Sequence, residues 1–204
     1  MPGIPDSEVV FNDLSELTPL VYSAIEAATQ TTREFFDRET SQIDSWLAPC
    51  LVRYHAKRFL DNAGQDVEYE REELANNGLC LNYGKYQIRI LKSDDGELPV
   101  PGPSQVRQAF YQQKQLSLDI SISSERINLL VLWDVSSNHN LVGLSLSCPK
   151  GGETTRTSVE AYWTVPIPHP ALSVKVTVES QDDIETLADL PIGKPIDVRA
   201  EYAE

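Results

Sequence analysis

The chain has 204 residues, 41% of them hydrophobic and 8% aromatic, which is enough to bury a core in one domain or a domain and a half. The net charge is −14, and no run of 18 apolar residues occurs. A membrane span is thereby excluded, and non-specific nucleic-acid binding is disfavoured because it depends on neutralising phosphates.

The charge is uneven. Residues 1–50 carry nine acids and two bases, and residues 171–204 carry eight acids and three bases. Residues 51–170 are nearly balanced, with 14 acids and 12 bases. Two acidic ends on a near-neutral middle give solubility, or arms that dock on a basic partner, including one that itself binds DNA. The first residues lack both basic groups and an apolar stretch, so they do not read as a secretory signal. Three separated cysteines, Cys50, Cys80 and Cys148, cannot all pair, which fits a reduced, cytoplasmic setting.

Residues 1–17 read as a poorly ordered lead-in. Thr18 followed by Pro19 predicts a helix start. Apolar residues then recur every three or four positions from Leu20 to Leu47, with the threonine cluster at 29–32 as a break between two helices. Pro49 opens a further helix that runs to Gly64. Leu51, Val52, His55, Ala56, Phe59 and Leu60 share one face of it, and Arg53 and Lys57 lie on another. Residues 67–74 alternate, placing Glu68, Glu70 and Glu72 on one side of a strand. Residues 78–83 and 86–92 form a hairpin around Gly84-Lys85. After the turn-rich loop 93–103, Ser104 caps a helix to about residue 113. Residues 115–126 are polar, either loop or edge strand. Residues 127–135 (INLLVLWDV) are apolar almost throughout, as for a central strand covered on both faces. A turn, a partner strand over 141–148 and a proline-terminated edge strand over 159–167 follow. Residues 172–180 alternate cleanly, and the last segment reads as a short acidic helix and a final strand.

These elements predict an α/β (α+β) fold with a central mixed sheet, flanking helices and a core order α-β-β-β-α-β. The division is an acidic helical segment over 1–48, an α/β core over 49–170 and an acidic β-rich tail over 171–204.

The core order, over about 85 residues, resembles that of restriction-endonuclease-like folds. Such a nuclease needs carboxylates to hold Mg²⁺ and a lysine to steady the attacking water. Here the acid position falls on Asn82, and the acid-x-lysine pair falls on Gln87 and Arg89. Amides carry no charge for a metal, and a guanidinium is a poor substitute for a compact ammonium. Lys92 lies three residues on, with its side chain on the opposite face of the strand. A divergent nuclease would draw its acids from Glu68, Glu70, Glu72 or Asp134, although Asp134 also suits the start of a turn. His55, His139, His169 and the cysteines show no metal-ligand spacing. No nucleophile elbow or phosphate loop occurs, and no cofactor is expected. Arg89, Lys92, Arg107, Phe110 and Tyr111 flank a loop containing Asp94, Asp95 and Glu97, and read as a mixed-charge recognition surface or as ordinary packing. Arg53, Lys57, Arg89 and Arg107 are the residues a DNA-binding module would use.

Residues 89–113, 128–152 and 162–170 together resemble a group of small uncharacterised proteins of actinobacteria and their phages. Those proteins are encoded beside regulators with a helix-turn-helix and a zinc-peptidase-like region. The resemblance implies a protein partner, a DNA-binding regulator, and carries no residue roles. The leading expectation is a non-enzymatic interaction protein of the regulatory or toxin–antitoxin kind. A divergent metal-dependent nuclease is second, and a DNA-binding module third.

Overall fold

The computed structural model describes residues 4–39, 42–63, 67–74, 78–93, 96–114, 126–151 and 159–172. The chain divides into one unit, Met1–Ser173, and a second, Val174–Glu204. The strand and helix expected after residue 172 lie outside the described residues, as do Asp94, Asp95 and the segment 115–125. No described helix is long and apolar enough to cross a membrane.

The lead-in contains a helix. α1 (Ser7–Asp13) forms because Asp6 caps it, its carboxylate accepting from the Glu8 N–H at 2.9 Å, and because Val10 and Leu14 are buried. α2 (Leu17–Arg38) starts just before the expected site, so Thr18 is a buried helical residue and not a cap. α2 also runs unbroken through the threonine cluster. The hydroxyls of Thr29, Thr31 and Thr32 donate to the carbonyls of Ile25, Ala27 and Ala28 at 2.7–2.8 Å, which satisfies them without unwinding the helix. α3 (Leu47–Ala63) begins two residues before Pro49. Asp44 starts it by accepting from the N–H groups of Trp46 and Leu47, both at 2.8 Å. Pro49 falls in the first turn, where a missing N–H is harmless.

Six strands follow: β1 (Glu70–Glu73), β2 (Leu79–Tyr83), β3 (Tyr86–Lys92), β4 (Ile127–Val135), β5 (Leu141–Pro149) and β6 (Ala161–Ile167). The short α4 (Gln105–Tyr111), capped by Ser104, lies between β3 and β4. The sheet is mixed, in the order β1-β2-β3-β4-β5-β6. Every pair is antiparallel except β3–β4, which is parallel. The α+β class and the central position of β4 follow the sequence pattern.

One sheet face, with Leu81, Ile88, Ile90, Leu129, Val131 and Trp133, packs on Val10 and Leu14 of α1 and its following turn, Val21 and Ile25 of α2, and Val52, Ala56 and Leu60 of α3. The helical segment 1–48 therefore supplies much of the main core. On the other face Leu130 and Leu132 lie under Phe110 and Tyr111 of α4. Gln113, just after α4, stands where β4 and β5 are not yet laddered. Its Nε2 donates to the carbonyls of Asn128 (2.8 Å) and Pro149 (2.9 Å), and its Oε1 accepts from the Asn128 N–H at 2.9 Å.

Candidate functional site

Strand register decides which side chains share the α4 side of the sheet. Glu70 pairs with Asn82, Asn82 with Gln87, and Gln87 with Asn128. The neighbouring row is Glu72, Cys80, Arg89 and Leu130. Because alternate residues face alternate sides, all three positions that a nuclease would fill stand together on one polar patch beside α4.

The patch is largely spent on itself. Gln87 Nε2 donates to Glu72 Oε2 at 2.7 Å, and the Cys80 thiol lies 3.7 Å from the same oxygen. The Arg89 guanidinium is stacked over the Phe110 ring, 4.5 Å from its centroid, and the residue is only 8% exposed. Burial pushes the Cys80 thiol up to about 12; the Glu72 carboxylate adds to the shift and Arg89 opposes it. Arg89 Nε, Asn82 Oδ1 and Asn128 Oδ1 are buried with no hydrogen-bond partner among the described residues. The donor set is thus one tied carboxylate, with exposed Glu70 at its margin, together with amides and a guanidinium. Among the described residues no three His, Cys, Asp or Glu side chains are placed to hold a metal ion.

Of the other candidate acids, Glu68 precedes β1, and Glu70 shares the α4 side of the sheet with Glu72 but is exposed at the margin of the patch, on the edge strand. Asp134 sits at the far end of β4, three strands across from β1, a lateral separation of about 14 Å. Its Oδ1 accepts from the N–H of Val135 at 2.8 Å, where the β4–β5 register shifts, and the turn itself is closed by Ser136. It also borders a pocket of about 170 Å³ with Ser93, Gly143 and Ser145.

The recognition surface expected from Arg89, Lys92, Arg107, Phe110 and Tyr111 is mostly interior. Phe110, Tyr111 and Arg89 are buried, because the apolar side of α4 seats on Leu130 and Leu132. Of the five only Arg107 is exposed, and Asp94 and Asp95 lie outside the described residues. The basic residues suggested for DNA binding are split across the sheet. Lys57 of α3 lies 3.4 Å from Glu73, and Arg53 Nη2 is 3.3 Å from Cys50 Sγ, whereas Arg89 and Arg107 are on the α4 side.

Two features escaped the sequence reading. The first is a groove of about 360 Å³ between α1 and β6, lined by Phe11, Val165, Pro166 and Pro168, with Glu8 and Asn12 on its helical wall. Trp163 Nε1 donates to the Pro5 carbonyl at 3.0 Å and helps hold the two walls together. The second is a pocket of about 220 Å³ between α2 and the β4–β5 turn, lined by Glu26, Thr29, Gln30, Arg33, His139, Asn140 and Leu141. Its signals were the i, i+4, i+7 polar spacing of Glu26, Gln30 and Arg33, and a histidine in a turn sequence.

No protein-family model matches the chain, and neither the curated proteins nor the solved structures compared with it give a match.

Proposed function

We propose that this chain is a non-enzymatic interaction protein whose partner is a basic protein of the DNA-binding-regulator kind. The observation that carries the reading is the α1–β6 groove, an apolar floor with Glu8 on its otherwise neutral helical wall. Val9 of α1 is also exposed, at 49%, and residues 1–50 hold nine acids against two bases. Apolar area supplies affinity in such a contact, while complementary charge selects and steers the partner. The resemblance noted in the sequence points to the same class of partner. The polar patch beside α4 supports the non-enzymatic half of the proposal. Glu72 is already bound by Gln87, and the neighbouring Glu70 stands exposed on the edge strand beside the neutral Asn82.

The test compares tagged wild-type chain with Phe11→Asp in affinity capture from the native host, with stoichiometry read by mass spectrometry. The expected result is one basic partner at equimolar yield with wild type, lost with the variant. Recovery of no stoichiometric partner, or its retention by the variant, would overturn the reading. Incubation of DNA and RNA with the chain and Mg²⁺ or Mn²⁺ should leave the substrates intact. Metal-dependent cleavage abolished by Glu72→Ala would establish the nuclease instead.

A further inference from the structure

His139 occupies a left-handed backbone conformation, with φ of 57°. Glycine adopts that region freely, whereas a histidine there, though more tolerant than most side chains, pays in strain. The turn around it is closed by backbone and hydroxyl contacts alone. Ser136 N–H donates to the Asn140 carbonyl and His139 N–H to the Ser136 carbonyl, both at 2.9 Å, and Asn140 N–H lies 3.2 Å from Ser136 Oγ. Nothing in this hydrogen bonding uses the imidazole. The ring instead lines the pocket against α2.

Across the pocket, Glu26, Gln30 and Arg33 are spaced four and three residues apart, so they form one polar stripe on α2. Asn140 Oδ1 accepts from Arg33 Nη1 and fixes the guanidinium at the pocket wall. The other contact of Arg33, with Asp37 at 4.0 Å, joins two exposed groups and is weak. The remaining donors of the fork are the geometry that a carboxylate accepts. Glu26 lies at the pocket's acidic end, where one of its oxygens already meets His169 at 3.1 Å. A volume of about 220 Å³ is below the ~300–1,000 Å³ of sites for drug-sized ligands, so the occupant is smaller.

We infer that this pocket binds a small molecule carrying a carboxylate, which Arg33 grips while His139 and Gln30 supply the flanking polar contacts. The left-handed histidine is then a stability cost retained for its side chain. Burial and, next, the Lys92 ammonium hold the His139 ring below its ordinary range, so the neutral ring is available as donor or acceptor at neutral pH.

The test is an NMR titration of the full chain with sodium glutamate and, separately, sodium succinate, with sodium chloride at matched ionic strength as control. Saturable shifts are expected at Arg33, Gln30, His139 and Asn140 with one or both carboxylates and not with chloride. Saturation by glutamate alone assigns an amino-acid-like ligand, with Glu26 facing the ammonium; saturation by succinate as well assigns the carboxylate alone. Arg33→Gln should weaken binding about tenfold or more. His139→Gly should raise Tm by about 2–4 °C while weakening binding, a combination that a purely structural histidine would not give. No saturable shift with either salt, equal shifts with chloride, or unchanged binding by His139→Gly would overturn the assignment.

Discussion

Gln113 completes the sheet with a side chain. At the start of β4 its amide supplies the donor and acceptor that a laddered β5 would have given, bridging Asn128 and Pro149. Truncation leaves a backbone N–H and two carbonyls to find water in a half-buried seam. Gln113→Ala should therefore lower the unfolding free energy by roughly 2–3 kcal/mol, measured by urea denaturation. The thiols give a second outcome at this scale. Burial pushes Cys80 up to about 12 and Cys148 up to about 11, so both stay protonated and shielded at pH 8. Native chain should release one equivalent of colour with a disulfide reagent, from half-buried Cys50, and three after unfolding; two or more in the native state would contradict the packing. Legibility at this scale was partial. Asn82, Gln87 and Arg89 could be read as lacking metal-binding charge, because residue type alone decides that. The burial of Arg89 could not, since arginine is rarely buried and its cover, Phe110, comes from 21 residues later in the chain.

Alternation and apolar runs made the strands readable as elements, and Ser104 marked α4 through its cap. α1 was missed because seven residues give too few repeats for a helical period. Its stability comes from the Asp6 cap and from long-range ties that no local pattern contains. Tyr86 OH donates to Asp13 Oδ2 at 2.6 Å, and Lys85 Nζ lies 2.9 Å from the same oxygen, fixing the end of α1 to the β2–β3 turn. The Tyr86 hydrogen bond first, then the one from Lys85, holds the Asp13 carboxyl below its usual range. A depressed native value means a contribution present above the unfolded pKa of about 3.9 and lost as pH falls through the native one. Asp13→Asn should thus reduce Tm at pH 7 and show a shallower decline below about pH 4 than wild type. Parallel acid profiles for the two would remove Asp13 from the account. Trp46 failed in the other direction. It falls within the apolar recurrence from Leu20 to Leu47, yet it is 76% exposed, because it precedes the first turn of α3 and the helical period no longer fixes its direction.

At the scale of the whole molecule, the acidic excess of the first 50 residues and the apolar α1–β6 groove fall on the same region, and that coincidence sets the proposed partner. The fold class was readable because β4 is apolar enough to require cover on both sides, whereas the groove depends on β6 meeting a helix about 150 residues earlier in sequence. The sheet order has a kinetic consequence. β1 to β3 and β4 to β6 are each runs of antiparallel neighbours, so each can zip from its own turns with little loop closure. They are joined side by side along the parallel register from Tyr86–Ile127 to Lys92–Trp133, which cannot form until the 34-residue connection between Lys92 and Ile127 has brought its ends together. Refolding speed is therefore expected to follow that single seam: in stopped-flow folding and unfolding rates, apolar truncations along it should slow folding, and those at the β6 margin should chiefly hasten unfolding.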